Sequence, residues 1–178
     1  SIRAIVRKER GLGGAIRRAM NMAIEEGYDL FCNLDADLSH DPADLPRLVA
    51  LVAEGDADVA VGSRYVPGGS IVGWPRHRKW MSRMINSIAR RKLGLPVNDA
   101  SGSFRCYRVS RLSEIALDEE SSEGYSFLQE TLLKLHRSGA SMAEVPITFT
   151  ERIAGDSKLN VSEAIRSGWS VFTLGRSS

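Results

Sequence analysis

Two aspartates one residue apart, Asp35 and Asp37, close a run of strand-forming apolar residues in Tyr28-Asp-Leu-Phe-Cys-Asn-Leu-Asp-Ala-Asp-Leu-Ser-His-Asp-Pro42. Side chains alternate along a strand, so residues i and i+2 share a face. Two carboxylates held that way repel each other unless a cation sits with them. A few hard oxygen ligands suit Mg²⁺ or Mn²⁺, which complete their shells with water and substrate phosphates. The triplet alone reads equally as a solvated turn, with Asp41 capping the helix that Pro42 opens. The strand in front and the proline behind strengthen the metal reading, because ligands of α/β sheets bind beyond the carboxyl ends of strands.

Basic residues form the second group. Arg64, Arg78, Arg105, and Arg152 with Lys158 read as loop or helix-start positions. Arginine grips phosphate oxygens in a fork and lysine supplies a point charge, so beside the carboxylate pair they suggest a site that handles several phosphates around a cation. Taken singly, each also reads as a surface residue. Gly11-Leu-Gly-Gly14 opens a helix. Its free amides suit an anion, but the spacing matches neither the P-loop nor the dinucleotide fingerprint, and a plain tight turn fits as well. Of His40, His77 and His136, only His40 stands beside the carboxylates.

The elements that must position these groups follow from periodicity. A strand is expected over Ile2–Val6. The next element is a helix with an apolar stripe of Ala15, Ile16, Ala19, Met20, Ala23 and Ile24, stopped by Gly27. The aspartate strand follows, then a helix from Pro42 to about Glu54 and a short buried strand over Ala57–Gly62. Strand–helix–strand order implies parallel strands with right-handed crossovers. Residues 63–75 read as a loop rich in Gly and Pro, and 74–93 as a basic amphipathic helix with Met81, Met84, Ile85 and Ile88 in one stripe. A strand over Phe104–Val109 and a short helix over Ser110–Leu117 come next. A helix over Gly124–Ser138 and a strand over Met142–Thr150 follow, with Pro146 marking an edge or bend. A polar loop to Leu159 and a last helix over Val161–Leu174 complete the chain.

The 178 residues fit one domain. The net charge of +2 hides an asymmetry: seven of the 24 bases and none of the 22 acids fall between Arg76 and Lys92. A basic amphipathic helix opened by Trp74 and Trp80 suits a membrane surface; packing on the domain with a solvated basic face is the alternative. No aromatic strand platform points to nucleic acid. Cys32 and Cys106 lack metal spacing and read as reduced core thiols of a cytoplasmic chain.

Several motifs in order carry a resemblance: Lys8-Glu-Arg-Gly-Leu-Gly-Gly-Ala15, Leu34-Asp-Ala-Asp-Leu-Ser-His-Asp-Pro42, Gly62-Ser-Arg-Tyr-Val-Pro-Gly-Gly69, Gly73-Trp-Pro-Arg-His-Arg-Lys79, Glu144-Val-Pro146 and Arg152-Ile-Ala-Gly-Asp-Ser-Lys158. The chain resembles family 2 glycosyltransferases of the dolichol-phosphate mannose synthase, or polyprenol monophosphomannose synthase, type. The resemblance implies a single GT-A-like (Rossmann-like) α/β domain over 1–178, with a mixed, mainly parallel sheet flanked by helices. It implies that the first strand–helix units, with the nucleotide-recognition half, are absent. It implies inverting transfer of mannose from GDP-mannose to a polyprenyl (dolichyl) phosphate on the cytoplasmic face of a membrane. A sister enzyme with another nucleotide sugar, or an inactive fragment that binds a partner or membrane, are the alternatives. By the same resemblance, Asp35, Asp37 and Ser39 fall on the metal ligands. Gly11, Asp35, Asp37, Arg152 and Lys158 fall on the donor site, and Arg64, Arg78 and Ser82 on the acceptor phosphate. Asp37, Arg64 and Arg152 take the catalytic positions.

Overall fold

A computed structural model describes residues 5–6, 11–117 and 125–151. The expected opening strand lies mostly outside them, and Ile5 and Val6 carry no strand. The loop after Glu151 and the last helix also lie outside.

The first helix, α1 (Leu12–Glu25), buries Gly13, Ile16, Met20 and Ala23 on one stripe. It stops as its glycine requires. Gly27 adopts φ 69°, its amide bonds to the Ile24 carbonyl, and the Tyr28 amide reaches back to Ala23. That pair of bonds is the Schellman arrangement, open to Gly because it has no Cβ to clash. Strand β1 (Leu30–Asn33) leads to the aspartates. The Asp41 side chain then caps a 3₁₀ turn at Pro42–Asp44 through the Ala43 amide, 2.9 Å away. The turn runs into α2 (Leu45–Ala53), and β2 (Val59–Ser63) is buried throughout.

Strand β3 (Ser70–Val72) lies inside the stretch expected to be loop. Helix α3 (Arg76–Leu93) ends at left-handed Gly94. Strand β4 (Arg105–Arg108) runs straight into α4 (Val109–Leu112), and α5 (Tyr125–Arg137) precedes β5 (Met142–Pro146) and β6 (Thr148–Thr150). The single strand expected over Met142–Thr150 is thus two. Ile147 takes a bond from neither sheet's middle but joins them: its amide bonds to Ser63 and its carbonyl accepts from Ser70.

The main sheet has the order β1-β4-β2-β5. β1, β2 and β5 run one way, and β4 runs against them. The sheet is mixed, with most strands co-directional. β1 and β2 do not pair, as their shared direction suggested; β4 lies between them. Pro146 ends edge strand β5, where a missing amide costs least. β3 and β6 form a separate parallel pair.

Alternation in β2 and β4 divides the core. Val59, Val61 and Tyr107 face α1, α5 and the end of α3, while Ala60 and Cys106 face α2 through Leu48 and Val52. Cys32 and Cys106 stand opposite each other across β1 and β4 as free thiols.

Candidate functional site

Asp35 and Asp37 leave the end of β1 half-buried. The loop that carries them is fixed from several sides. The Asp37 carboxylate accepts from the Ser39 amide at 3.0 Å, and the Asp35 amide points to Nδ1 of His40 at 3.4 Å. Exposed Leu38 adopts φ 64°, a left-handed conformation that costs a branched residue about 1 kcal/mol and lets the chain turn between them. The Thr150 amide, at the end of β6, bonds to the Ser39 carbonyl at 3.0 Å. The small sheet therefore clamps the aspartate loop to the 63–75 segment, since Glu151 also donates to the Val72 carbonyl.

The residues fit a hard divalent cation. Among the described residues no group of three or more His, Cys, Asp or Glu gathers, so no all-protein cage exists. Two adjacent carboxylates remain, and the buried hydroxyl of Ser39 has no hydrogen-bond partner. Such an orphan is a costly feature without a ligand to satisfy it. Few protein oxygens with the rest supplied by substrate is the Mg²⁺ or Mn²⁺ pattern.

His40 is not incidental. Only 4% exposed, its ring packs 5.2 Å from Phe104 and 5.4 Å from Phe149. Burial pushes its imidazole below the ordinary value, Asp35 and Asp37 pull it back, and Arg64 adds to the fall. A neutral ring there supports the loop without adding charge.

Arg64 follows β2. Its Nε and Nη2 grip the two oxygens of Asp99, each at 2.7 Å, and its own amide adds a third bond at 3.1 Å. Asp99 is fully buried and also accepts from the Gly102 amide at 3.0 Å. Burial favours the neutral acid, but the Arg64 charge and bonds outweigh it and hold the Asp99 carboxyl below its usual value. Arg64 is raised in turn: burial opposes its charge, and Asp99 more than compensates. Glu144 anchors this loop by accepting from the Asn98 and Asp99 amides at 2.9 and 3.0 Å.

Arg78 stacks 4.0 Å from the Trp74 ring and bonds to Glu151 at 2.6 Å. Arg64 lies 5.8 Å from Trp74 and 5.5 Å from Phe149, and those two rings meet edge to face at 5.5 Å. Ser82 is tied to the Tyr65 hydroxyl at 2.6 Å. One aromatic pier, Trp74 with Phe149, thus gathers the aspartate loop through His40, and both arginines. Gly11 is the N-cap of α1. Arg152 and Lys158 lie outside the described residues. Arg105 is no loop residue: it is fully buried in β4 and bonds to the carbonyls of Ala100 and Leu128.

Sequence reasoning missed Trp74, Phe149 and Glu151 as parts of this site. Trp74 stood in a quoted motif, and the period-two pattern of 148–150 placed Phe149 on a strand, but neither gave the packing. Of the two readings of α3, the structure has most of the apolar stripe lying outward rather than packed on the domain. The helix buries Asn86, Ala89 and Leu93 and exposes Trp80, Met81, Met84 and Ile88 at 37–67%. Asn86 goes inward because its amide bonds to the Ser82 carbonyl and Ser101 hydroxyl, both at 3.0 Å, while its oxygen takes the Ser101 amide. No helix among the described residues is long and apolar enough to cross a membrane.

Residues 1–116 match the model of "Glycosyl transferase family 2". The chain is 42% identical over 158 residues to an undecaprenyl-phosphate mannosyltransferase of Micrococcus luteus, which covers 87% of this chain and 64% of that protein. It is 40% identical over 158 residues to a polyprenol monophosphomannose synthase of Mycolicibacterium smegmatis, covering 87% and 59%. The chain therefore spans about three fifths of the length of these curated relatives. Among solved structures it resembles glucosyl-3-phosphoglycerate synthase of Mycobacterium tuberculosis. The complex with phosphoglyceric acid gives TM-score 0.60 at 17% identity, over 96% of this chain and 55% of that one. The complex with Mn²⁺, UDP-glucose and glycerol 3-phosphate gives 0.59 at 18%, over 94% and 54%. At that identity the likeness concerns the fold.

Proposed function

The chain belongs to glycosyl transferase family 2, and on that premise we propose that it serves the transfer of mannose from GDP-mannose to a polyprenyl phosphate, with inversion at the anomeric carbon. The relatives named for polyprenyl-phosphate mannosyl transfer support the acceptor class and the sugar. The observation that carries the reading is the aromatic pier. It brings two carboxylates fit for a cation and two arginines fit for phosphate onto one support.

Asp35, Asp37 and Ser39 would hold Mg²⁺ or Mn²⁺. When bound, that cation supplies Lewis-acid neutralisation of the leaving diphosphate. The protein's own residues do the rest. A phosphate monoester is already ionised near neutral pH, so the acceptor needs alignment rather than a general base. Among the described residues the site has no Ser/His or Cys/His hydrogen bond, and His40 packs on Phe104 and Phe149. Arg64 keeps Nη1 without a bond among the described residues after Asp99 has taken Nε and Nη2. That leaves a rigidly aimed positive edge for the acceptor phosphate, joined by Arg78 and Ser82. Preorganised charge of this kind lowers the barrier without reorganisation during reaction. Gly11, Arg152 and Lys158 are assigned to the donor, and Asp37, Arg64 and Arg152 to catalysis.

The exposed stripe of α3 adds a place of action. Trp80, Met84 and Ile88 face outward on a helix with seven Lys or Arg and no acid. Such a face suits peripheral attachment to an anionic bilayer on the cytoplasmic side, where the lipid acceptor resides.

The test is labelled mannose transfer to a polyprenyl phosphate by the protein containing this chain, with Mn²⁺ and a panel of nucleotide sugars. GDP-mannose is expected to label the lipid, and Asp37→Ala to stop it. Labelling only from another donor would move the assignment to a sister enzyme. Undiminished labelling by Asp37→Ala would remove the cation site.

A further inference from the structure

We propose that Cys32 and Cys106 form a site of oxidative modification: a hydroperoxide converts the pair to a cross-strand disulfide, and the disulfide weakens cation binding at Asp35 and Asp37. The crosslink stands on the sheet geometry; its effect on the cation rests on the reading above.

Register brings the two sulfurs together. Cys32 and Cys106 are Cα partners in the antiparallel ladder of β1 and β4. The Val109 amide bonds to the Asp29 carbonyl at 3.0 Å. Hydrogen-bonded pairs alternate along such a ladder. Counting on from Asp29 and Val109, Phe31 with Tyr107 and Asn33 with Arg105 are bonded pairs, and Cys32 with Cys106 is a non-bonded one. The other side of β4 agrees. The Gly62 amide bonds to the Phe104 carbonyl and the Arg108 amide to the Asp58 carbonyl, both at 2.9 Å, so the Cys106 backbone turns toward Ala60 of β2 and away from β1. In a non-bonded pair the Cα atoms sit about 4.5 Å apart and the side chains come closest. That separation falls within the roughly 4.4–6.8 Å over which a disulfide closes.

The two thiols are unequal. Both are free, Cys32 half-buried and Cys106 buried. A hydrogen bond from the Cys106 thiol holds the Cys32 thiol below its usual value, against the effect of burial. The same bond, and burial after it, push the Cys106 thiol up. Cys32 is therefore the sulfur that ionises first and the one that solvent reaches, and attack on a peroxide needs both. Cys106 stands behind it as the resolving thiol.

The Cys32 thiolate attacks one oxygen of hydrogen peroxide and the O–O bond breaks. The products are a Cys32 sulfenic acid and hydroxide, which takes up a proton as water. The Cys106 sulfur then attacks the sulfenic sulfur, the S–O bond breaks, and the departing hydroxide leaves with the Cys106 proton as a second water. The two thiols lose two electrons and the peroxide gains them. Cytoplasmic thiol pools return such a disulfide to the dithiol.

Both sulfurs connect to the aspartate loop. Asp35 follows Cys32 by three residues. Cys106 shares a core face with Phe104, whose ring lies 5.2 Å from His40, and Nδ1 of His40 faces the Asp35 amide at 3.4 Å. A covalent bond across the pair fixes the spacing of β1 and β4 at the root of that loop, along the chain on one side and through packed rings on the other.

The test treats the reduced, folded protein containing this chain with hydrogen peroxide and follows intact mass and peptide maps. A loss of two hydrogens, a peptide joining Cys32 to Cys106 and recovery with dithiothreitol are expected. Cys106→Ala should stop at a Cys32 sulfenic acid that dimedone captures, and Cys32→Ala should leave Cys106 unreacted. Circular dichroism checks folding; should Cys106→Ala unfold, the parent and Cys32→Ala carry the test. A crosslink that forms only in urea, or Cys106 oxidised as readily as Cys32, overturns the site. Binding of Mn²⁺, read from the paramagnetic resonance of the free ion, should weaken roughly tenfold in the oxidised parent. It should not respond to peroxide in Cys32→Ala. Equal Mn²⁺ affinity in the reduced and crosslinked parent overturns the coupling to the aspartates. A reduced parent that binds no Mn²⁺ sinks the cation reading, while mass alone still decides the crosslink.

Discussion

Replacing Asp99 by alanine should be among the most damaging single changes in the described structure. The carboxylate is fully buried and accepts from the amide, Nε and Nη2 of Arg64 and from the Gly102 amide. Its removal strands the Arg64 guanidinium, whose side chain is only 8% exposed. Breaking a buried pair by deleting one partner costs about 3–5 kcal/mol. With a urea m-value of about 2 kcal/mol/M, the midpoint of unfolding should fall by about 2 M. Arg64→Ala should cost nearly as much, and the double variant far less than the sum, with a coupling of about 2–3 kcal/mol. A pH arm gives an independent check. Asp99 is held below its ordinary value in the fold, so its contribution is complete above the unfolded value near 4. It is lost as pH falls through the lower folded value. The parent should therefore lose stability in that acid range, and Asp99→Asn should show a weaker loss there. Urea titrations at pH 7 and below pH 4 measure both. A coupling under about 0.5 kcal/mol, with the same acid response in parent and Asp99→Asn, would refute the account of this pair.

Other consequences are open to direct measurement. Gly69→Ala forces a Cβ to within 2.6 Å of the Ser63 carbonyl and 2.9 Å of the Arg64 carbonyl carbon; overpacking against backbone should cost about 1–3 kcal/mol, seen as a thermal midpoint several degrees lower. Asn86→Leu removes three bonds that tie α3 to Ser82 and Ser101. It should cost about 1–3 kcal/mol, and an unchanged urea midpoint would show the network to be dispensable. Binding to anionic vesicles should weaken with added salt and on Arg90→Gln/Arg91→Gln, by about 1 kcal/mol per charge; indifference in a sedimentation assay to both would assign the exposed face of α3 another role.

Local rules sufficed wherever structure is set by neighbours in the chain. The stripe of Ile16, Met20 and Ala23 gave α1, and Gly27 its end, because both depend on residues within two turns. The apolar run into Asp35 and Asp37 gave β1 and the carboxylate pair at its end, and Asp41-Pro42 gave the cap that follows. Motif order gave the family, because spacing survives where packing cannot be read. Tertiary structure decided the rest. The insertion of β4 between β1 and β2, and the pairing of β3 with β6, rest on hydrogen bonds between distant segments that no short-range period encodes. The orientation of α3 was decided by Asn86, whose burial follows from partners on Ser101, a choice between surface and packing that the apolar stripe had left open. The fate of each arginine was decided in the same way. Arg105 found carbonyls inside the core, Arg64 found Asp99, and Arg78 found Trp74 and Glu151. A guanidinium's role is set by the acceptors that the fold places within reach of its fork, and the sequence specifies the charge without specifying those acceptors.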